Sequence, residues 1–167
     1  MATGKHEEKS VPRVSCAIVT VSDTRTEETD KSGVCIRDVL ESAGHTLCSY
    51  EIIPDEPDQV RDRVLALCVR DDCQAVLLNG GTGVSTRDTT CEAVSTLFEK
   101  TLEGFGEIFR MLSFEQIGPR AMLSRATAGV CKGTVVFSMP GSPSAVLLAM
   151  EKIIGPGLGH TMAMLRS

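Results

Sequence analysis

Ala75-Val76-Leu77-Leu78-Asn79-Gly80-Gly81-Thr82-Gly83 decides how this chain is read: residues suited to a buried strand run directly into residues built for a turn. The apolar run is too short for a helix, and its lack of polar alternation predicts a strand covered on both faces, as in a parallel sheet. The glycines permit positive φ and close backbone approach. Outward N–H groups ahead of a helix then form a concave seat for phosphate oxygens.

The same pattern recurs on both sides. Val14-Ser15-Cys16-Ala17-Ile18-Val19-Thr20-Val21 reads as a central strand that breaks at Ser22-Asp23-Thr24-Arg25. Val34, Ile36, Val39 and Leu40 then mark a helix stopped by Gly44. A strand from Thr46 to Ile53 closes at Pro54-Asp55-Glu56-Pro57, and Val60, Val64, Leu67 and Cys68 follow at helical spacing. Residues 88–99 and 104–118 read as helical, the second with an apolar stripe of Phe105, Ile108, Phe109, Leu112 and Ile117 that suits a core or a subunit interface. Thr134-Val135-Val136-Phe137-Ser138-Met139 is a further strand ending at Pro140-Gly141-Ser142-Pro143. Residues 145–150 and 153–165 supply closing helices, with a break or bend expected at Gly155-Pro156-Gly157-Leu158-Gly159. Alternating strands and helices predict an α/β fold with an open, mostly parallel sheet and helices on both faces. Ligands belong at the carboxyl ends of its strands.

With 167 residues the chain has the length of one domain. A polar, flexible tail is expected over residues 1–12, without the apolar stretch of a secretory signal, and one domain over residues 13–167. No apolar run approaches the ~20 residues that cross a bilayer, so no membrane partner is expected. A net charge of −5 without a basic stripe argues against nucleic acid as a partner, and any anionic ligand must be held locally. Seven scattered cysteines with no C-x-x-C pair predict reduced, mostly buried thiols in a reducing compartment, the cytoplasm. His6, His45 and His160 have no neighbours that suggest catalysis.

Three loops follow strands and can carry chemistry: residues 22–25, residues 80–88 and residues 140–144. The glycine loop lacks the Lys-Ser/Thr of a P-loop and the third glycine of the dinucleotide fingerprint, and by itself it also reads as a plain tight turn. Asp88 is either the cap of the next helix or a magnesium ligand beside phosphates. Asp55 is a turn residue or the second carboxylate, and Asp23 orients a hydroxyl or metal-bound water or caps a helix. Arg125, after Ser124, suits a phosphate, a ligand carboxylate or a structural ion pair.

Six ordered stretches are similar to the MogA/MoaB-type molybdopterin-binding family, which includes the gephyrin G domain. They are Thr20-Val21-Ser22-Asp23-Thr24-Arg25, Ile53-Pro54-Asp55-Glu56, Gly80-Gly81-Thr82-Gly83 with Arg87-Asp88-Thr89-Thr90, Gly104-Phe105-Gly106-Glu107, Leu123-Ser124-Arg125 and Met139-Pro140-Gly141-Ser142-Pro143. The stretch from Gly104 to Phe114 most resembles the MoaB branch. The resemblance implies a three-layer α/β domain that assembles as a homotrimer or homohexamer and binds molybdopterin. It implies transfer of AMP from Mg-ATP to the terminal phosphate of the pterin with release of pyrophosphate, or, as the alternative, pterin binding or carriage without turnover. Asp55 and Asp88 match the carboxylates linked to catalysis and to Mg2+. Gly80, Gly81, Thr82 and Gly83 match the nucleotide and phosphate loop, and Ser22, Asp23, Glu107, Ser124, Gly141 and Ser142 match positions around the ligand pocket. The chain departs from many members in lacking a proline before Arg87, and from several in having Ser142 in place of Asn or Gln.

Overall fold

The computed structural model describes residues 12–167, so the tail expected over residues 1–12 lies outside the described residues except for Pro12. Along the chain come β1 (Ser15–Val21), α1 (Lys31–Ser42), β2 (Thr46–Ile53), α2 (Pro57–Cys68), β3 (Ala75–Asn79), α3 (Thr90–Ser95), β4 (Lys100–Thr101) and α4 (Glu103–Ile117). A 3₁₀ segment (Gly118–Leu123), β5 (Thr127–Cys131), β6 (Thr134–Met139), α5 (Pro143–Ala149), a π turn (Met150–Ile154) and α6 (Gly155–Leu165) complete the domain. The sheet order is β2-β1-β3-β6-β5-β4. β2, β1, β3 and β6 are parallel, β5 pairs antiparallel with β6, and the short β4 pairs antiparallel with β5 at the edge.

Alternation along the strands divides the core into two layers. Cys16, Ile18, Ala75, Leu77, Val135 and Phe137 face α1, α4, α5 and α6, where they pack with Ile36, Phe109, Val146 and Leu158. Ala17, Val19, Val76, Leu78 and Val136 face α2 and α3, where they meet Val60, Val64, Leu67 and Val94. The result is the three-layer α/β architecture with a mostly parallel sheet that the resemblance implies. β2 lies on one side of β1 and β3 on the other. That reversal opens a crevice at the carboxyl ends of β1 and β3.

Two local expectations are corrected, and β5 has no counterpart in the sequence reading. That strand forms because Lys132 (φ 52°) and Gly133 (φ 79°) make a two-residue hairpin that folds it antiparallel onto β6. The helix expected over residues 88–99 is confined to Thr90–Ser95, because the chain then leads into β4 beside β5. At Gly155 the chain does not break out of the helix: α5 passes through the π turn into α6, so the irregularity lies one turn earlier, at Met150–Ile154, with Pro156 in the first turn that follows it. The missing Cβ of Gly155 also lets α6 approach α1, since a Cβ there would stand 3.2 Å from Val39 Cγ1.

Candidate functional site

The carboxyl ends of β1, β2, β3 and β6 share one edge of the sheet, tied by Ser22 N–H to Ile53 O at 2.9 Å and Gly80 N–H to Met139 O at 3.1 Å. Ser22 shapes its own loop, its Oγ accepting from Thr24 N at 3.2 Å and Arg25 N at 3.1 Å. Asp23 does not cap α1, a role taken by Asp30 through Gly33 N at 3.0 Å. Instead Asp23 reaches across the crevice, accepting from Asp55 N at 3.0 Å and from Arg87 at 2.6 Å. The Asp55 N–H and the Arg87 guanidinium hold the Asp23 carboxyl below its ordinary value.

The glycine loop runs through the centre. Gly80 (φ 105°) and Gly81 (φ 65°) adopt the left-handed region that other residues resist. A Cβ on Gly141 would stand 3.1 Å from Gly80 Cα, so the third loop leans directly on the second. Among the described residues, no backbone carbonyl accepts from the Gly81 or the Thr82 N–H. Asp88 folds back over the end of this loop and accepts from Ser85 N at 2.9 Å and Ser85 Oγ at 2.6 Å. The Ser85 hydroxyl is the main cause that lowers its carboxyl pKa. Asp88 therefore caps no helix; the cap position of α3 is Thr89. Asp55 behaves in the opposite way. Its Oδ1 is buried without a hydrogen-bond partner, and burial, then the charges of Asp23 and Asp88, raise its carboxyl pKa.

Arg125 resolves to a structural role: it donates to Gly83 O at 2.7 Å and Asp88 O at 2.6 Å and pairs with Glu92, fastening the glycine loop to the chain before β5. It brings Ser124 to the loop, and Ser124 Oγ is buried without a partner. Ser142 lies at the rim as the cap of α5, its Oγ accepting from Ala145 N at 3.4 Å. Glu107 stands apart. It lines a neighbouring cleft of about 290 Å³ with Thr101, Arg110 and Ala126, connected to the site through Arg110, which donates to Ser124 O at 3.4 Å.

Residues 22, 23, 55, 80–83, 88, 124 and 141 thus come together, with Ser142 at the edge and Glu107 one cleft away. Sequence reasoning assigned no role to a second set that holds the loops. Arg25 donates to Gly141 O at 2.6 Å and Asn79 Oδ1 at 3.2 Å, and Asn79 donates to Thr20 Oγ1 at 2.9 Å. Thr20 donates to Asp30 Oδ2 at 2.5 Å, and Tyr50 donates to the same oxygen at 2.8 Å. The available signal was a fully buried polar residue, Thr20 or Asn79, inside an otherwise apolar strand. A wider groove of about 490 Å³, bounded by Asp38, Val39, Ser42 and Met150, lies elsewhere and contains none of the unpartnered buried polar atoms.

Among the described residues, no group of three or more His, Cys, Asp or Glu side chains is arranged to hold a metal. Two carboxylates, Asp55 with a free oxygen and Asp88, still suit Mg2+, which commonly takes one or two and completes its shell with water and phosphate. No helix among the described residues is long and apolar enough to cross a membrane.

Comparison with known proteins agrees with this geometry. A family model described as "Probable molybdopterin binding domain" matches residues 17–160. Molybdenum cofactor biosynthesis protein B of Bacillus subtilis (strain 168) is 53% identical over 167 residues, covering 99% of this chain and 98% of the relative. A crystal structure of a molybdenum cofactor biosynthesis protein B superposes with a TM-score of 0.92 at 53% identity, covering 95% of this chain and 99% of that one. The tungsten cofactor synthesizing protein MoaB from Pyrococcus furiosus superposes with a TM-score of 0.83 at 36% identity, covering 93% and 98% of the two chains. A strand-end crevice of converging loops, a match over most of the chain and likeness in sequence and fold agree: the chain belongs to the molybdopterin-binding-domain family and, with it, to molybdenum cofactor biosynthesis.

Proposed function

We propose that the chain binds molybdopterin at the glycine loop and transfers AMP from Mg-ATP to its terminal phosphate, releasing pyrophosphate. One observation carries the reading. Four of the buried side-chain atoms without a partner, Asp55 Oδ1, Thr89 Oγ1, Thr90 Oγ1 and Ser124 Oγ, belong to residues on or beside this crevice. Buried polar groups are normally paired, so such a concentration marks a place where the pairing is completed only when a ligand is bound.

An oxygen of the pterin phosphate attacks the α-phosphorus, and the bond from that phosphorus to the oxygen bridging it to the β-phosphorus breaks. Little covalent work falls to the protein in such a transfer; positioning and charge stabilisation dominate. The Gly81 and Thr82 N–H groups grip phosphate oxygens, and the Ser124 and Thr89 hydroxyls complete the seat. Asp55 and Asp88 would hold Mg2+, which when bound would neutralise charge on the phosphates. Glu107 serves from the adjoining cleft. Assembly as a trimer or hexamer covers the exposed apolar face of α4, where Ile108, Met111, Phe114 and Ile117 are each 45–59% exposed. Seven free cysteines accord with a reducing cytoplasm.

The test is incubation with molybdopterin and Mg-ATP, followed by mass analysis of the pterin and assay of pyrophosphate. Asp55→Asn and Asp88→Asn are each expected to lower turnover by about 100-fold or more while pterin binding persists. Turnover unchanged in both variants removes the catalytic assignment. Tight pterin binding without pyrophosphate in the unaltered protein selects the carrier reading.

A further inference from the structure

Asp88 is held in place by the Ser85 hydroxyl and N–H, and Asp23 by Arg87 and the Asp55 N–H. Asp55 has no such support at Oδ1. The group able to provide it is Thr90. This residue is 0% exposed at the start of α3, and its N–H donates to Gly81 O at 3.1 Å, which fixes its backbone over the glycine loop. Thr90 Oγ1, like Asp55 Oδ1, is buried and unpartnered.

The two atoms face one point. A Cβ on Gly81 would stand 3.2 Å from Asp55 Oδ1 and would overlap Thr90 Oγ1. A hydroxyl donor and a carboxylate acceptor, unpaired in this structure, therefore both border the place that a Gly81 Cβ would fill, and any side chain there would part them. Leaving a buried donor or acceptor unpaired costs about 1–3 kcal/mol. A side-chain rotation that joins the two atoms would relieve both. The complementarity of the atoms, their burial and the glycine between them agree on one pairing.

We infer that Thr90 is a positioning residue for Asp55: its hydroxyl donates to Asp55 Oδ1 across Gly81 and turns Oδ2 toward the ligand. The inference rests on the reading of Asp55 as a working carboxylate. It gives Asp55 the counterpart of what Ser85 gives Asp88, and it adds a second demand for glycine at position 81 beside the positive φ.

Thr90→Val removes the hydroxyl at nearly constant shape, and Thr90→Ser keeps it. In protein carrying 13C-labelled aspartate, a carboxyl carbon that accepts from a hydroxyl shifts between H2O and D2O. The Asp55 carbon is expected to show this shift in the unaltered protein and in Thr90→Ser, and to lose it in Thr90→Val. With molybdopterin and Mg-ATP, Thr90→Val is expected to lower kcat about 10-fold with KM changed less than about twofold, and Thr90→Ser to restore kcat. An isotope shift retained in Thr90→Val, or Thr90→Ser as impaired as Thr90→Val, overturns the inference. If the unaltered protein forms no pyrophosphate, the adenylyl-transfer reading fails while the isotope measurement still decides the role of Thr90.

Discussion

Replacing Asp30 by Asn changes one atom type at the hub that joins three strands to the candidate site. Asp30 is 1% exposed. Its Oδ2 accepts from Thr20 Oγ1 at 2.5 Å and Tyr50 Oη at 2.8 Å, its Oδ1 accepts from Gly33 N at 3.0 Å, and Arg25 lies 3.5 Å from Oδ1. An Asn keeps one acceptor oxygen and puts an NH2 donor where two hydroxyl donors now converge. If Thr20 reverses to accept from that NH2, its hydroxyl proton loses its acceptor, since its oxygen already accepts from Asn79 Nδ2 at 2.9 Å and Asp30 Oδ2 was the proton's partner. Hydrogen bonds to a charged group contribute about 1.5–3 kcal/mol each, and losing one side of a buried paired network costs about 3–5 kcal/mol. We expect Asp30→Asn to destabilise the fold by about 3 kcal/mol. With an urea slope of about 2 kcal/mol/M, the midpoint then falls by about 1.5 M with an unchanged slope.

The pH dependence follows from the same contacts. Burial alone would raise the Asp30 carboxyl, but hydrogen bonds from Thr20, Gly33 and Tyr50 and the Arg25 charge outweigh it and hold the pKa below its ordinary value. A lowered folded pKa gives stability that is fully present above the unfolded aspartate pKa of about 3.9 and is lost as pH falls through the folded value. The stability gap between the unaltered protein and Asp30→Asn should therefore be full at pH 7 and narrow below about pH 4. Urea unfolding at a series of pH values measures it. A gap under about 1 kcal/mol at pH 7, or one that stays constant into the acid range, refutes the reasoning.

The remaining predictions concern the surface and the thiols. Phe114→Glu, at a side chain 59% exposed on α4, should leave the thermal midpoint within a few degrees but shift the mass in solution toward the single chain. An unchanged mass removes α4 from the subunit contact. A short pulse of N-ethylmaleimide followed by peptide mass analysis should label half-buried Cys35 and Cys48 before the five buried cysteines. Burial pushes the Cys16 thiol up to about 12 and the Cys91 thiol up to about 11, so labelling of either as fast as Cys48 contradicts the packing described.

Much of the fold was legible because its signals are local. β1, β3 and β6 are short runs of apolar residues bounded by turns, and their alternation with amphipathic helices leaves few ways to build a sheet. β5 was hidden by its composition, Thr127-Ala128-Gly129-Val130-Cys131, which becomes a strand through pairing with β6 and through Phe98 packing where Gly129 has no Cβ. The carboxylates could be named from where they stand after strands, but not told apart. Asp88 takes its partner from Ser85, three residues away, whereas the environment of Asp55 is made by Asp23, Gly81 and Thr90 from two other loops.

The amino-acid order by itself therefore determined the layers, the parallel core of the sheet and the loops that bear ligand chemistry, because hydrophobic periodicity and glycine placement act over a few residues. Tertiary structure decided which polar atoms are paired and which are left waiting. That Arg125 is spent on carbonyls, that Glu107 faces a separate cleft and that Asp55 and Thr90 both leave a buried oxygen unpaired beside Gly81 depend on distances between segments far apart in the chain. Burial and electrostatic pairing belong to those distances, and no stretch of sequence contains them.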